Sequence, residues 1–361
     1  MDLSFHCPLN SVSFGQVSVA LLREVYKREM GALVALIGDK PDLSAQQHDT
    51  KFFQWVEGAL KNFNSNHKSD SPSFKLWHFN GSLSLLSDNQ CLMTFYELDS
   101  PTKTELNIAK FNKKLIVTSR YTQEVFESNG VKTHFVPLGF DSANFKRLDK
   151  KYYDDDRIVF NLTGKFEHRK HHAKILAAWA KKFGGNTKYM LQGAIFNPFL
   201  SPNDNNELIS RALGQKQHVN ISFLPSMEKN SMYNDYLNSG DIIIGMSGGE
   251  GWGLPEFQSV AMGKHSVVLN AHSYKDWANK DNSVMVEPSA MIDCVDGIFF
   301  KRGQEYNQGR MFDWNEDDFI SACEEAIKRV ELDRTNTEGL KLQEEFTYSN
   351  TLDGILSVLK E

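Results

Sequence analysis

The sequence predicts an α/β protein built from two doubly wound, mostly parallel sheets that face each other across a cleft. Three observations predict it. Helical and strand-like stretches alternate along nearly the whole chain, a polar and charged stretch interrupts the alternation near its middle, and 361 residues, 40% of them hydrophobic, are long for one domain. Regular alternation implies strands covered by helices on both faces, and ligands of such sheets lie at the carboxyl ends of the strands.

In order along the chain, "GQVSVALLREVYKR" (15–28) has helical periodicity and "ALVALIG" (32–38) reads as a strand. "KLIVTS" (114–119) reads as a strand, "RYTQEVFESNG" (120–130) as a helix and "THFVPLG" (133–139) as a further strand. The pattern then stops in "DSANFKRLDKKYYDDDR" (141–157), which places a domain boundary near residue 150. A second series opens with "RIVFNLTG" (157–164), "HHAKILAAWAKKF" (171–183) and "KYMLQG" (188–193), and includes the buried-strand run Ile242, Ile243 and Ile244. The expected units are therefore 1–150, 151–338, and an amphipathic terminal helix within 339–361 that packs back on the first domain.

Composition narrows the function. Forty basic residues against 46 acidic ones give a net charge of -6, which disfavours a general polyanion binder, although residues 1–150 carry 17 basic and 16 acidic side chains and leave the excess of acid to the rest. The four cysteines are scattered without a CxxC pair, so neither a disulfide framework nor a zinc site is expected. The first residues lack a basic, then apolar leader pattern, and no stretch reaches the length of a membrane span, so a cytoplasmic protein without an integral membrane segment is expected.

Two stretches carry chemistry. In "GKFEHRKHH", Gly164 ends a strand, Lys165, Arg169 and Lys170 follow within six residues, and a helix starts near His171, so cations and backbone donors meet at a helix N-terminus, the outline of an anion site. His168 and His172 have i, i+4 spacing, but no third ligand is evident and no metal site is expected. In "SGGEGWGLPEFQSVAMGK" (247–264), Gly248, Gly249, Gly251 and Gly253 surround Glu250, implying bare backbone lying close to something bound. Pro255 suits the first turn of a helix expected over 256–262. A carboxylate accepts hydrogen bonds only, so vicinal sugar hydroxyls suit Glu250, while the helix N-terminus and the cations suit a diphosphate.

The ordered set of motifs resembles the retaining glycosyltransferases of family 4, whose signature is similar to E-G-F-G-L-P-x-x-E-A-M-A-x-G, met here as "EGWGLPEFQSVAMG", with a basic turn met as "GKFEHRK". "FYELDSPTKTEL" (95–106), "VTSRYTQEVFESNGV" (117–131) and "HFVPLGFDSANF" (134–145) extend the likeness in order over nearly the whole chain. The resemblance implies the GT-B fold, an N-terminal acceptor-binding domain and a C-terminal nucleotide-sugar domain. It implies that Glu250 contacts the donor sugar, that Gly15 lies in a glycine loop near the transferred group, that His78 lies by the donor sugar, and that Gly164, Gly249, Gly251, Trp252, Gly253 and Leu254 line the donor site. The family's second glutamate, held to bind ribose, is Gln258 here. Glu256 is not its obvious substitute, because two residues along a helix rotate it by about 200° from that face.

The expected reaction is transfer of a sugar, with retention, from a nucleoside diphosphate sugar (a UDP-sugar is the expected donor) to an acceptor hydroxyl, without a cofactor or essential metal. Glu250, His78, Lys165 and Lys170 are the expected catalytic residues. A saccharide is the expected acceptor. Hydroxymethylated phage DNA is an alternative, with Lys110, Lys113 and Lys114 as phosphate contacts. A catalytically silent sugar-nucleotide sensor is the reading of another class, and a nicotinamide enzyme is disfavoured because neither half supplies the glycine fingerprint with its distal acid.

Overall fold

In the computed structural model, which describes residues 3–361, the first half forms one sheet and most of the second half another. The first contains β1 (Leu3–Cys7), β2 (Ala32–Leu36), β3 (Ser73–Leu76), β4 (Gln90–Thr94), β5 (Lys114–Val117) and β6 (His134–Phe135) in the order β2-β1-β3-β4-β5-β6, every pair parallel. Helices α1 (Ser13–Lys27), α2 (Thr50–Lys61), α3 (Phe63–Asn66), α4 (Lys103–Phe111) and α5 (Arg120–Ser128) connect these strands. Strands β3 and β4 are buried throughout, as strands covered on both faces must be. Local chemistry sets the helix starts. Thr102 and Glu105 close a capping box on α4, and Ser119 caps α5 by accepting from the Thr122 backbone N–H.

The second sheet contains β7 (Ile158–Thr163), β8 (Tyr189–Ala194), β9 (Ile221–Phe223), β10 (Ile242–Gly245), β11 (His265–Leu269) and β12 (Val284–Val286), again all parallel, in the order β12-β11-β10-β7-β8-β9. Helices α6 (His172–Phe183), α7 (Pro202–Ala212), α8 (Asn230–Ser239), α9 (Leu254–Ala261) and α10 (Glu316–Leu332) belong to it. Strand order reverses between β1 and β3 in one sheet and between β7 and β10 in the other. These reversals open the two crevices in which doubly wound sheets hold ligands.

Between β12 and α10 lies an antiparallel hairpin, β13 (Pro288–Asp293) and β14 (Arg310–Trp314), which the sequence patterning does not anticipate. It reaches the first sheet's side of the molecule. Cys294, Phe300 and Met311 are buried with Leu92, Tyr96 and Phe126, and Arg310 binds Asp99 with Nε to Oδ2 at 2.8 Å.

After the short helices α11 (Thr337–Leu340) and α12 (Leu342–Glu345), the last helix α13 (Tyr348–Lys360) lies against α1. Leu352 and Ile355 are fully buried there, Arg28 pairs with Asp353 at 2.6 Å, and Thr351 Oγ1 donates to the Pro137 carbonyl at 2.9 Å. Gly139 is required at this crossing, because a Cβ on it would sit 2.1 Å from the Tyr348 backbone nitrogen. Among the described residues no helix is long and apolar enough to cross a membrane.

Backbone cannot yield as a side-chain tip can, so Gly139→Ala should destabilise the protein by about 1–3 kcal/mol. Urea unfolding checks this. An unchanged midpoint would show that the α13 crossing is not a close backbone contact.

Candidate functional site

Strand β7 ends at Thr163, and Gly164, with φ of +97°, turns the chain in the left-handed region. A 3-10 turn, His168–Lys170, then brings Arg169 and Lys170 back beneath the strand end before α6 starts at His172. His168 and His172 therefore do not share a helix. His172 Nε2 pairs with the Thr163 carbonyl at 2.8 Å, and His171 Nε2 with the Phe312 carbonyl at 2.8 Å. Among the described residues no group of three or more His, Cys, Asp and Glu is placed to hold a metal ion.

Strand β10 ends at Gly245 on the other side of the same crevice, and the loop beyond it carries Glu250 to the cations. Lys170 Nζ donates to Glu250 Oε1 at 2.6 Å and Arg169 Nη1 donates to the same oxygen at 3.0 Å. Both cations meet Oε1, and the Ser247 hydroxyl also approaches the carboxylate. Arg169 Nη2 meets Glu167 at 2.7 Å and Glu97 at 3.1 Å, and Nη1 also donates to the Gly249 carbonyl. Burial pushes the Glu250 carboxyl up, but Lys170 and Arg169 outweigh it and hold the group well below the usual range. Burial disfavours the Arg169 and Lys170 charges, and the surrounding carboxylates reverse this and hold both cations protonated. Lys165 stands further out, 3.7 Å from Glu167, with its ammonium 4.8 Å from the ring centre of Phe299 and 5.5 Å from that of Phe199.

The glycines of this loop meet protein at close range. A Cβ on Gly249 would lie 2.2 Å from the Glu97 carbonyl oxygen, one on Gly251 2.6 Å from Phe95 Cβ, and one on Gly248 2.5 Å from the Phe312 carbonyl oxygen. The bare backbone read from the sequence thus lets the loop touch the first domain and the hairpin. Gly253, with φ of +77°, starts α9 as a left-handed N-cap without a side-chain hydrogen bond. Its own Cβ would strike Tyr274. The helix covers Leu254–Ala261, two residues earlier than the expected start because Leu254 and Pro255 form its first turn.

The first domain supplies the opposite wall from its own point of strand reversal. Phe14, beside Gly15, stacks on Phe95 with ring centres 4.3 Å apart and lies 4.3 Å from the His78 ring. Gly15 is buried in the first turn of α1, where a Cβ would overlap Asn10. His78 follows β3 with its ring open to the cleft. Desolvation by the surrounding protein and then the charge of Lys165 lower its pKa and keep the imidazole neutral at pH 7. Thr118 Oγ1 closes the seam by donating to the Gly251 carbonyl at 2.6 Å.

Other expected residues sit differently. Trp252 is a core residue, 2% exposed, packed against Phe257 and Phe346. Leu254 is partly buried against the core. Gln258 is buried with its Oε1 unpartnered among the described residues. Glu256 enters the crevice, with Oε1 3.5 Å from Thr163 Oγ1, Oε2 unpartnered, and a carboxyl raised by burial against the pull of Lys170, Glu250 adding to the rise. Of the three lysines considered for DNA, Lys110 and Lys113 are exposed, but Lys114 donates to the Leu359 carbonyl at 3.2 Å and holds α13. Sequence reasoning missed Glu97 and Glu167. Glu167 lay inside the quoted basic turn, and the sole local signal for Glu97 was a carboxylate just after a strand.

The fold and this site define a GT-B architecture, two Rossmann-like domains facing a cleft. No protein-family model matches the sequence, and no curated protein matches it. Solved structures do. The chain is similar to sucrose-phosphate synthase from Thermosynechococcus elongatus at 14% identity, covering 100% of this chain and 98% of that one with a TM-score of 0.66. It is similar to a trehalose-6-phosphate structure from E. coli bound with UDP-2-fluoro glucose at 11% identity, covering 100% and 99% with a TM-score of 0.65. The catalytic domain of starch synthase IV from Arabidopsis thaliana, bound to ADP and acarbose, gives 11% identity, 99% and 98% coverage and a TM-score of 0.63. At these identities the likeness is one of fold.

Gly249→Ala should part the two domains at the seam, because the Cβ meets a backbone oxygen. Amide exchange should rise in residues 95–97 and 247–253 while the sheet cores keep their protection. Unchanged exchange in both segments would show that the seam is looser than its geometry.

Proposed function

We propose that the protein is a glycosyltransferase that moves a sugar from a nucleoside diphosphate sugar to an acceptor hydroxyl, with the donor bound at the β7–β10 crevice. One observation carries this reading. Glu250, Lys170, Arg169 and the uncapped start of α9 converge at the point of strand reversal, and a wall from the other domain stands against them. The UDP-sugar analogue and the ADP in the two similar structures are consistent with a nucleotide diphosphate donor and leave the base open.

As the glycosidic bond breaks, negative charge grows on the diphosphate, where Lys165, Lys170, Arg169 and the first turn of α9 stabilise it. Oε1 of Glu250 is fixed by the two cations, so Oε2 is the atom offered to a sugar hydroxyl. With neutral His78 nearby, the departing phosphate oxygen takes the acceptor proton on the face it leaves, which gives retention. The acceptor is a saccharide hydroxyl bound by the first domain. The three carboxylates around Arg169 favour a second reading, a sugar-nucleotide sensor, because they already neutralise the cations.

Release of labelled sugar from UDP- and ADP-sugars to an oligosaccharide panel separates the two, since a sensor binds without turnover. Glu250→Ala should lower turnover a hundredfold or more, on the order of 3 kcal/mol, with the nucleotide still bound. Unchanged turnover would remove Glu250 from the chemistry. Lys170→Ala should weaken nucleoside diphosphate much more than nucleoside in calorimetry, because its contact is to phosphate. Equal losses would place the diphosphate elsewhere.

A further inference from the structure

The ion-paired cluster is balanced before any donor arrives, and Glu256, the fourth carboxyl of the crevice, pairs with none of its cations. Lys165, Arg169 and Lys170 supply three positive charges, and Glu97, Glu167 and Glu250 lie within 3.7 Å of one or another of them. The diphosphate of a sugar nucleotide brings two negative charges into this neutral cluster. At these distances the three carboxylates cancel the attraction of the three cations, so the diphosphate gains a full charge partner only when one carboxylate loses its charge or withdraws.

The three are not equivalent. The Glu167 and Glu250 side chains are 3% and 8% exposed, and each is held by a cation at 3.0 Å or less. Glu97 is 30% exposed, its one ion pair is the 3.1 Å contact to Arg169 Nη2, and its carboxylate has no other hydrogen bond among the described residues. It comes from the first domain, whereas both of its rivals and all three cations come from the second. The groups facing it are Arg169, Glu167 and Lys170 from the β7–α6 segment, Glu250 from the glycine loop and the buried Cys294 thiol from the hairpin. His78 faces the same cleft from β3.

We infer that Glu97 is the donor site's exchangeable counter-ion: it neutralises Arg169 while the site is empty and takes up a proton from solvent when the diphosphate binds, freeing the guanidinium for the phosphate. The inference rests on the donor reading given above. Desolvation, with Glu250 and Glu167 adding to it and Arg169 opposing, already lifts the Glu97 carboxyl above the usual range, whereas Glu250 is held below it. The sign follows. The ligand adds negative charge and raises the Glu97 pKa further, so binding absorbs a proton and affinity falls as pH rises through the pKa of the empty site. Glu97 is a positioning residue in this scheme, acting through Arg169 without touching the sugar.

The test is calorimetry of the full chain with UDP-glucose and ADP-glucose, whose diphosphates do not titrate near neutral pH, in buffers of different ionisation enthalpy. Wild type should absorb up to about one proton per nucleotide sugar, and its affinity should weaken by up to about tenfold per pH unit above neutrality. Glu97→Gln, close to isosteric, should bind with no linked proton and a flat pH profile, and tighter than wild type at the alkaline end. Glu167→Gln, His78→Asn and Glu256→Gln, the last removing the other raised carboxyl of the crevice, should keep the proton uptake. Binding to wild type without uptake, or uptake that survives Glu97→Gln, would overturn the inference and leave the donor reading standing. Absence of binding of either nucleotide sugar to any of the five proteins would overturn both.

Discussion

The burial of one guanidinium organises the centre of this molecule. Arg169 is enclosed at the end of a strand, where an unpaired charge would be untenable, so its environment must supply carboxylates and carbonyls from every side. Glu167 comes from two residues away, Glu250 and the Gly249 carbonyl from the loop after β10, and Glu97 from the other domain. Meeting these four demands at once fixes where the glycine loop lies, which way the β7 turn folds, and how closely the first domain approaches.

The same constraint explains the bareness of the loop. With its carbonyl held by Arg169 and its backbone within van der Waals range of residues 95–97, the loop has no room for side chains at Gly249 and Gly251. Thr118 and the hairpin strand β14 secure it from two further directions, Phe312 donating its N–H to the Gly248 carbonyl at 2.8 Å. Glycines around a carboxylate thus serve close approach of protein to protein, and a ligand that enters does so beside a loop already held in place.

Charge balance links structure to chemistry. A site meant for a diphosphate needs cations, and cations buried without that ligand need internal partners. In the proposed donor site the ion cluster would answer both needs, and ligand entry would be an exchange of anions around fixed positive groups. The least enclosed of the three paired carboxylates belongs to the domain opposite the cations, which puts the proposed exchange at the seam between domains.

The sequence by itself determined the two-sheet architecture, because period-two and period-3.6 patterning is a local property and the buried runs at 158–163 and 242–245 leave no other use for so many apolar residues. It also marked Glu250, Lys165, Arg169 and Lys170, since glycines and cations beside strand ends are legible in a line of text. It could not show that Glu97 completes their cluster across 72 residues of chain, that Glu256 enters the crevice, that Trp252 turns into the core, or that residues 288–314 form a hairpin reaching the other domain. Those outcomes depend on contacts between segments distant in sequence. The close packing of two domains decided them, and no local periodicity records it.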